Sequence, residues 1–135
     1  MKANALSDVL ALSAIRKIGS SLERAYAVGT DLEARTTMLV ASLEAGMAFS
    51  NSSVALVHGM ARPIGAYFHK AHGISNAVLL PHVMAWSVEG APERYADVAR
   101  ALGADTSGMS ALEAGRTAVE LVRELCRALA IPGLK

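Results

Sequence analysis

The sequence predicts an all-α fold of about six helices. Apolar residues recur at helical spacing along almost the whole chain, and capping signals punctuate them at regular intervals. No stretch alternates apolar and polar residues as a half-buried strand does. Hydrophobic residues make up 53% of the 135, yet only 4% are aromatic and alanine supplies much of the rest. Small side chains of that kind suit helices packed closely against one another.

In order, Ser7 is placed to cap a first helix over about 8–27, with Leu10, Ala14, Ile18 and Leu22 along one face and Gly29 ending it. Thr30 and Glu33 have the spacing of a capping box, opening a second helix that runs to about Ser50. Its apolar stripe reads as Leu32, Leu39, Leu43 and Met47. Asn51-Ser-Ser53 makes a polar break, and Ser53 can cap a third helix containing Val54, Val57 and His58. Pro63 disfavours helical geometry at Arg62, so this helix either kinks or re-forms around Ile64–Phe68. His72-Gly73 reads as a turn before a short helix from about Ser75 to Trp86 that contains Pro81. Pro92 suits the first turn of another helix and Gly103 its stop. Ser110 and Glu113 form a second capping box, starting a helix to about Leu129 that Pro132-Gly133 terminates.

Totals narrow the function classes. One domain over residues 1–135 is the natural division for a chain of this length. A net charge of +1 leaves no basic footprint for nucleic acid. The lone Cys126 cannot form an internal disulfide, which favours a reducing compartment. Polar residues interrupt each hydrophobic stretch before membrane-spanning length, and the N-terminus lacks a signal-peptide apolar run. The expectation is a cytoplasmic protein with no membrane partner.

The chemistry-bearing residues crowd the middle. His58, His69 and His72 lie within fifteen residues, and His82 follows. Imidazole is the usual nitrogen ligand for zinc and divalent iron. His58 sits on a mostly apolar helix, where an unpartnered ring is costly to bury, and His72 can swing toward it if the chain reverses between them. Spacing alone leaves two readings open, a metal site and histidines that are simply satisfied in the core or at the surface. There is no glycine-rich phosphate loop, no paired-cysteine zinc spacing and no His-Glu-x-x-His helix.

Three blocks carry a family resemblance: Gly46-Met-Ala-Phe-Ser-Asn51, Leu56-Val-His-Gly-Met-Ala-Arg-Pro-Ile-Gly65, and His72-Gly-Ile-Ser-Asn-Ala-Val-Leu-Leu-Pro-His-Val83. Together they resemble the signature of the helical, metal-binding half of iron-containing (group III) alcohol dehydrogenases. The likeness is dense from about Ala3 to Gly103 and thinner after it. It implies that His58 and His72, fourteen residues apart, correspond to two metal ligands for divalent iron or zinc. It implies that Phe49 stands at the substrate pocket, that His82 is structural and that His69 is a solvated variable position.

Three departures accompany the resemblance. The family's other ligands, an aspartate and a histidine one helical turn apart, precede the segment that this chain matches, and Asp8 reads instead as a first-turn residue favoured by the helix dipole. The family's dinucleotide-binding domain, which holds NAD(P), has no counterpart here. Arg62 replaces the family's second motif histidine. Facing a divalent ion at about 6 Å, a guanidinium would repel it by about 5 kcal/mol at an effective dielectric near 20; the alternative is a surface cation turned away from the site. The implied activity is therefore that of the parent family, NAD(P)-dependent interconversion of alcohols with aldehydes or ketones, and the chain alone is expected to be inactive. A non-catalytic helical assembly module, or one half of a split enzyme with a dinucleotide-binding partner chain, are the other readings. Helix faces left without their usual neighbours lead to the expectation of a homo-oligomer.

Overall fold

A computed structural model describes residues 3–133 and contains six α-helices, with no strand among the described residues. They are α1 (Ala5–Ala27), α2 (Leu32–Ser52), α3 (Leu56–Phe68), α4 (His72–Ser87), α5 (Pro92–Ala101) and α6 (Ala111–Ala128), with a 3-10 turn at Val88–Gly90 between α4 and α5. Three hairpins form from α1 with α2, α3 with α4, and α5 with α6; α4 and α1 also pack on the α5–α6 pair. The predicted all-α class holds.

Helix α1 begins earlier than its sequence suggests. Asn4 is the N-cap, accepting from the Ser7 N–H, and Ser7 closes the capping box from inside the first turn by accepting from the Asn4 N–H. In α2 the cap is Asp31, one residue past Thr30. Its carboxylate takes the Ala34 N–H and also the Arg24 guanidinium, two donors that a threonine hydroxyl could not hold together.

The expected stripe on α2 lies on the wrong face. Leu32, Leu39 and Leu43 are 75%, 73% and 63% exposed. What α2 buries is Ala34, Ala41 and Ala48, and α1 answers with Ser7, Ala14 and Ser21. Both sets recur every seven residues, two helical turns, so a narrow seam of small side chains runs along the pair. Residues that small let the backbones approach closely, and bulkier neighbours are displaced outward. Lys17, bonded to both Glu44 oxygens at 2.9 Å, ties the helices beside the seam.

The polar break at Asn51-Ser52 is absorbed into α2. Ser50, Asn51 and Ser52 each donate to the carbonyl four residues back, at Gly46, Met47 and Ala48. Ser53 then ends the helix at a φ of 68°, and α3 starts from Ala55 without a side-chain cap. Pro63 does not split α3. The carbonyl it leaves without an in-helix donor belongs to Gly59, and both residues are exposed. The turn expected at His72-Gly73 falls earlier: His69 adopts the left-handed conformation that reverses the chain, and His72 is already the first residue of α4.

Pro81 sits buried inside α4 and costs the Ala77 carbonyl its helical partner. The Cys126 thiol of α6 takes that role, donating to Ala77 O at 3.7 Å; burial in turn raises the thiol's pKa. Cys126→Val keeps most of the volume and removes the donor, so it should lower stability by about 1 kcal/mol through the orphaned carbonyl. Urea unfolding followed by circular dichroism measures this, and an unchanged midpoint would discount the contact.

The later elements follow their sequence signals. Pro92 opens α5, Gly103 leaves it at a φ of 94°, and Ser110 with Glu113 forms the capping box of α6. Asp8, in the first turn of α1, also holds Arg94 of α5. The core joins Met84 of α4 to Ala99 of α5 and to Ala118 and Val119 of α6. An apolar groove of about 590 Å³ lies between α1, α4, α5 and α6, lined by Leu12, Ile15, Leu80, Met84, Val98 and Leu129 among others.

Candidate metal centre

The reversal at His69 folds α4 back along α3, and this brings His58 and His72 face to face. Their ring centroids lie 5.4 Å apart with planes tilted by 49°. A separation of this size is compatible with two imidazoles sharing one ion. His58 is half-buried and His72 is exposed at the start of α4. Desolvation, with smaller contributions from the charges of His72 and Arg62, holds the His58 ring below its ordinary pKa. It is therefore neutral at pH 7, the form that ligates metals.

Two buried side-chain polar atoms lack a hydrogen-bond partner among the described residues, His58 Nδ1 and Asn76 Oδ1. Both belong to this cluster. Asn76 donates from Nδ2 to the His72 carbonyl at 2.9 Å and lies 3.2 Å from the His72 ring Nε2. Unpartnered buried polar atoms are uncommon, and a pair at one place suits a position where an ion completes the bonding. Asn76 escaped the sequence reading; its four-residue step from His72 on a helix was the available signal.

The donor set is incomplete. Among the described residues no group of three or more His, Cys, Asp or Glu side chains converges on a point. Two imidazoles suit part of a coordination sphere, and the described residues bring no third such side chain to them.

The other candidates make no ring contact with this pair. His69 and His82 are exposed. Phe49 is 51% exposed near the C-terminal end of α2, and it makes no ring contact with the histidines. Arg62 is exposed, one turn after His58, and its charge reaches the His58 ring.

The description "Fe-containing alcohol dehydrogenase family, C-terminal" matches residues 1–134. The chain belongs to this family. It is 42% identical to the 1,3-propanediol dehydrogenase of Citrobacter freundii over 130 residues, covering 96% of this chain and 34% of that protein. It is 44% identical to the lactaldehyde reductase of Escherichia coli (strain K12) over 128 residues, 95% of this chain and 33% of the relative. The fold matches the crystal structure of a 1,3-propanediol oxidoreductase with a TM-score of 0.95 at 41% identity, over 97% of this chain and 34% of that one. The chain thus spans about a third of the length of the iron-type alcohol dehydrogenases it matches. No helix among the described residues is long and apolar enough to cross a membrane.

Proposed function

We propose that the chain is the metal-binding part of an NAD(P)-dependent alcohol dehydrogenase, with His58 and His72 as two ligands of a divalent iron or zinc ion, and that it turns over substrate only when a dinucleotide-binding polypeptide completes it. The observation that carries this is the facing histidine pair with its orphaned Nδ1, in a chain matching a third of its relatives. When bound, the metal supplies Lewis-acid polarisation of the alcohol or carbonyl oxygen. His58 contributes a neutral ring held in place by partial burial, and Asn76 fixes the start of α4 from which His72 projects. Phe49 is assigned to the wall of the substrate pocket by its place in the Gly46–Asn51 block.

The test is an anaerobic assay with divalent iron or zinc, NAD and NADP, and 1,3-propanediol. The chain alone should give no reduced cofactor, and mixing it with the separately expressed part of a family member that carries the dinucleotide-binding domain and the aspartate–histidine pair should restore turnover. Turnover by the chain alone would refute the incompleteness. An inactive mixture would favour the second reading, a non-catalytic helical module, which the exposed Arg62 beside the pair supports.

We also propose that the chain self-associates through α2. Leu39, Leu43 and Met47 border a shallow depression on its outer face, and their exposure is large for adjacent apolar side chains. Light scattering at tens of micromolar should show a dimer or larger species, and Leu43→Glu should reduce it to a monomer; a monomeric wild type would contradict the proposal.

A further inference from the structure

All four histidines lie between Ala45 and Val88, and that stretch contains no aspartate or glutamate. Each of the chain's twelve carboxylate side chains lies outside it. Helices α3 and α4 are both drawn from this stretch, so the frame of the histidine pair carries the cations Arg62 and Lys70 and no anion.

Elsewhere five guanidinium groups hold carboxylates, while Arg16, Arg35 and Arg127 lie outside the helices that frame the histidine pair. Arg24 holds Asp31 and Glu33, Arg94 holds Asp8, Arg100 holds Asp97, Arg116 holds Glu89, and Arg123 holds Glu120. Arg62 forms no ion pair or hydrogen bond with any described residue. It stands one helical turn from His58, where side chains on a helix are neighbours, and its field is felt at the His58 ring. An unpaired planar donor beside a histidine pair whose two helices bear no carboxylate is suited to grip an oxyanion in a bidentate hydrogen bond.

We propose that Arg62 is a specificity-determining residue that holds the carboxylate of an anionic substrate, so that the site takes a hydroxy or oxo acid in preference to a neutral alcohol. This rests on the His58–His72 pair being the reaction centre. Phosphate and carboxylate share the chemistry that Arg62 recognises, and the test separates the two sources.

The His58 and His72 ring proton signals of the full chain are followed by NMR, with and without saturating zinc, as 3-hydroxypropanoate, 1,3-propanediol or inorganic pyrophosphate is added. The acid and the diol have equal length and differ in one terminal group. The acid should perturb both rings at a concentration about ten-fold lower than the diol. Arg62→Gln should bring the two within about two-fold, and Arg62→Lys should retain part of the preference, since an ammonium keeps the charge without the fork. Circular dichroism should be unchanged in both variants. Equal response to acid and diol, or a preference that survives Arg62→Gln, would overturn the proposal. Pyrophosphate acting at much lower concentration than the acid would transfer Arg62 to cofactor binding and overturn the substrate assignment. Rings that zinc leaves unshifted in the presence of the part of a family member that carries the dinucleotide-binding domain and the aspartate–histidine pair would refute the metal reading, and the zinc-free titration would still decide the role of Arg62.

Discussion

Gly115→Leu is expected to destabilise the fold by about 3–5 kcal/mol, a size that single substitutions reach only through a specific steric cause. A Cβ built at Gly115 would lie 2.8 Å from Val88 Cγ2, 3.1 Å from Tyr95 Cβ and 3.3 Å from the Pro92 carbonyl. Val88 is 2% exposed and cannot retreat, and Pro92 O is backbone at the start of α5. The clash falls where α6 crosses the 3-10 turn and α5, the junction that holds the core. Gly46 is the control. It lies within α2 with nothing in reach of an added Cβ. Gly46→Ala should therefore stabilise by about 0.5–1 kcal/mol, the ordinary helix gain over glycine. At Gly115 alanine should give no such gain. Thermal melts of the three variants check this, and equal effects at the two glycines would disprove the close approach.

His58→Ala is expected to reduce zinc affinity by at least about ten-fold, and His72→Ala by a similar factor, because each removes one of the two ligands proposed above. The folded chain should survive both changes, since His58 is only half-buried and His72 is exposed. His82→Ala and His69→Ala, on exposed rings that make no contact with the pair, should leave the affinity within about two-fold. Competition with a colorimetric zinc chelator gives the values, and a loss in His69→Ala equal to that in His58→Ala would remove the basis for choosing this pair.

Local chemistry was the legible part of the sequence. The capping box at Ser110, the proline at the start of α5 and Gly103 after its end each act within one turn, and the structure agrees with all three. What a face packs against is not local. The leucines of α2 outrank its alanines in hydrophobicity, so periodicity alone selects Leu32, Leu39 and Leu43; close helix packing selects Ala34, Ala41 and Ala48 by size. Ser7 and Thr30 looked like caps because neighbouring acceptors, Asn4 and Asp31, are judged only by which backbone N–H they reach.

The site was legible in the same uneven way. The motif blocks picked out His58 and His72, and the structure places them together. Asn76 depends on α4 starting at His72, which the histidine–glycine turn signal hid. The carboxylate-free span from Ala45 to Val88 is plain in the sequence, but the histidines within it draw attention to what is present instead of what is missing. Its meaning depends on α3 and α4 framing the same site, a tertiary fact.

On the function proposed above, this chain holds half of a metal site on a helical scaffold. Isothermal titration of zinc into the chain, alone and in the presence of the part of a family member that carries both the dinucleotide-binding domain and the aspartate–histidine pair, tests it most directly. The prediction is weak binding alone, as two imidazoles near an uncompensated guanidinium would give. Adding that part should tighten it by about a hundred-fold or more as further ligands arrive, and His58→Ala should abolish the gain. Binding that is equally tight with and without that part, or a gain that persists in His58→Ala, would contradict it.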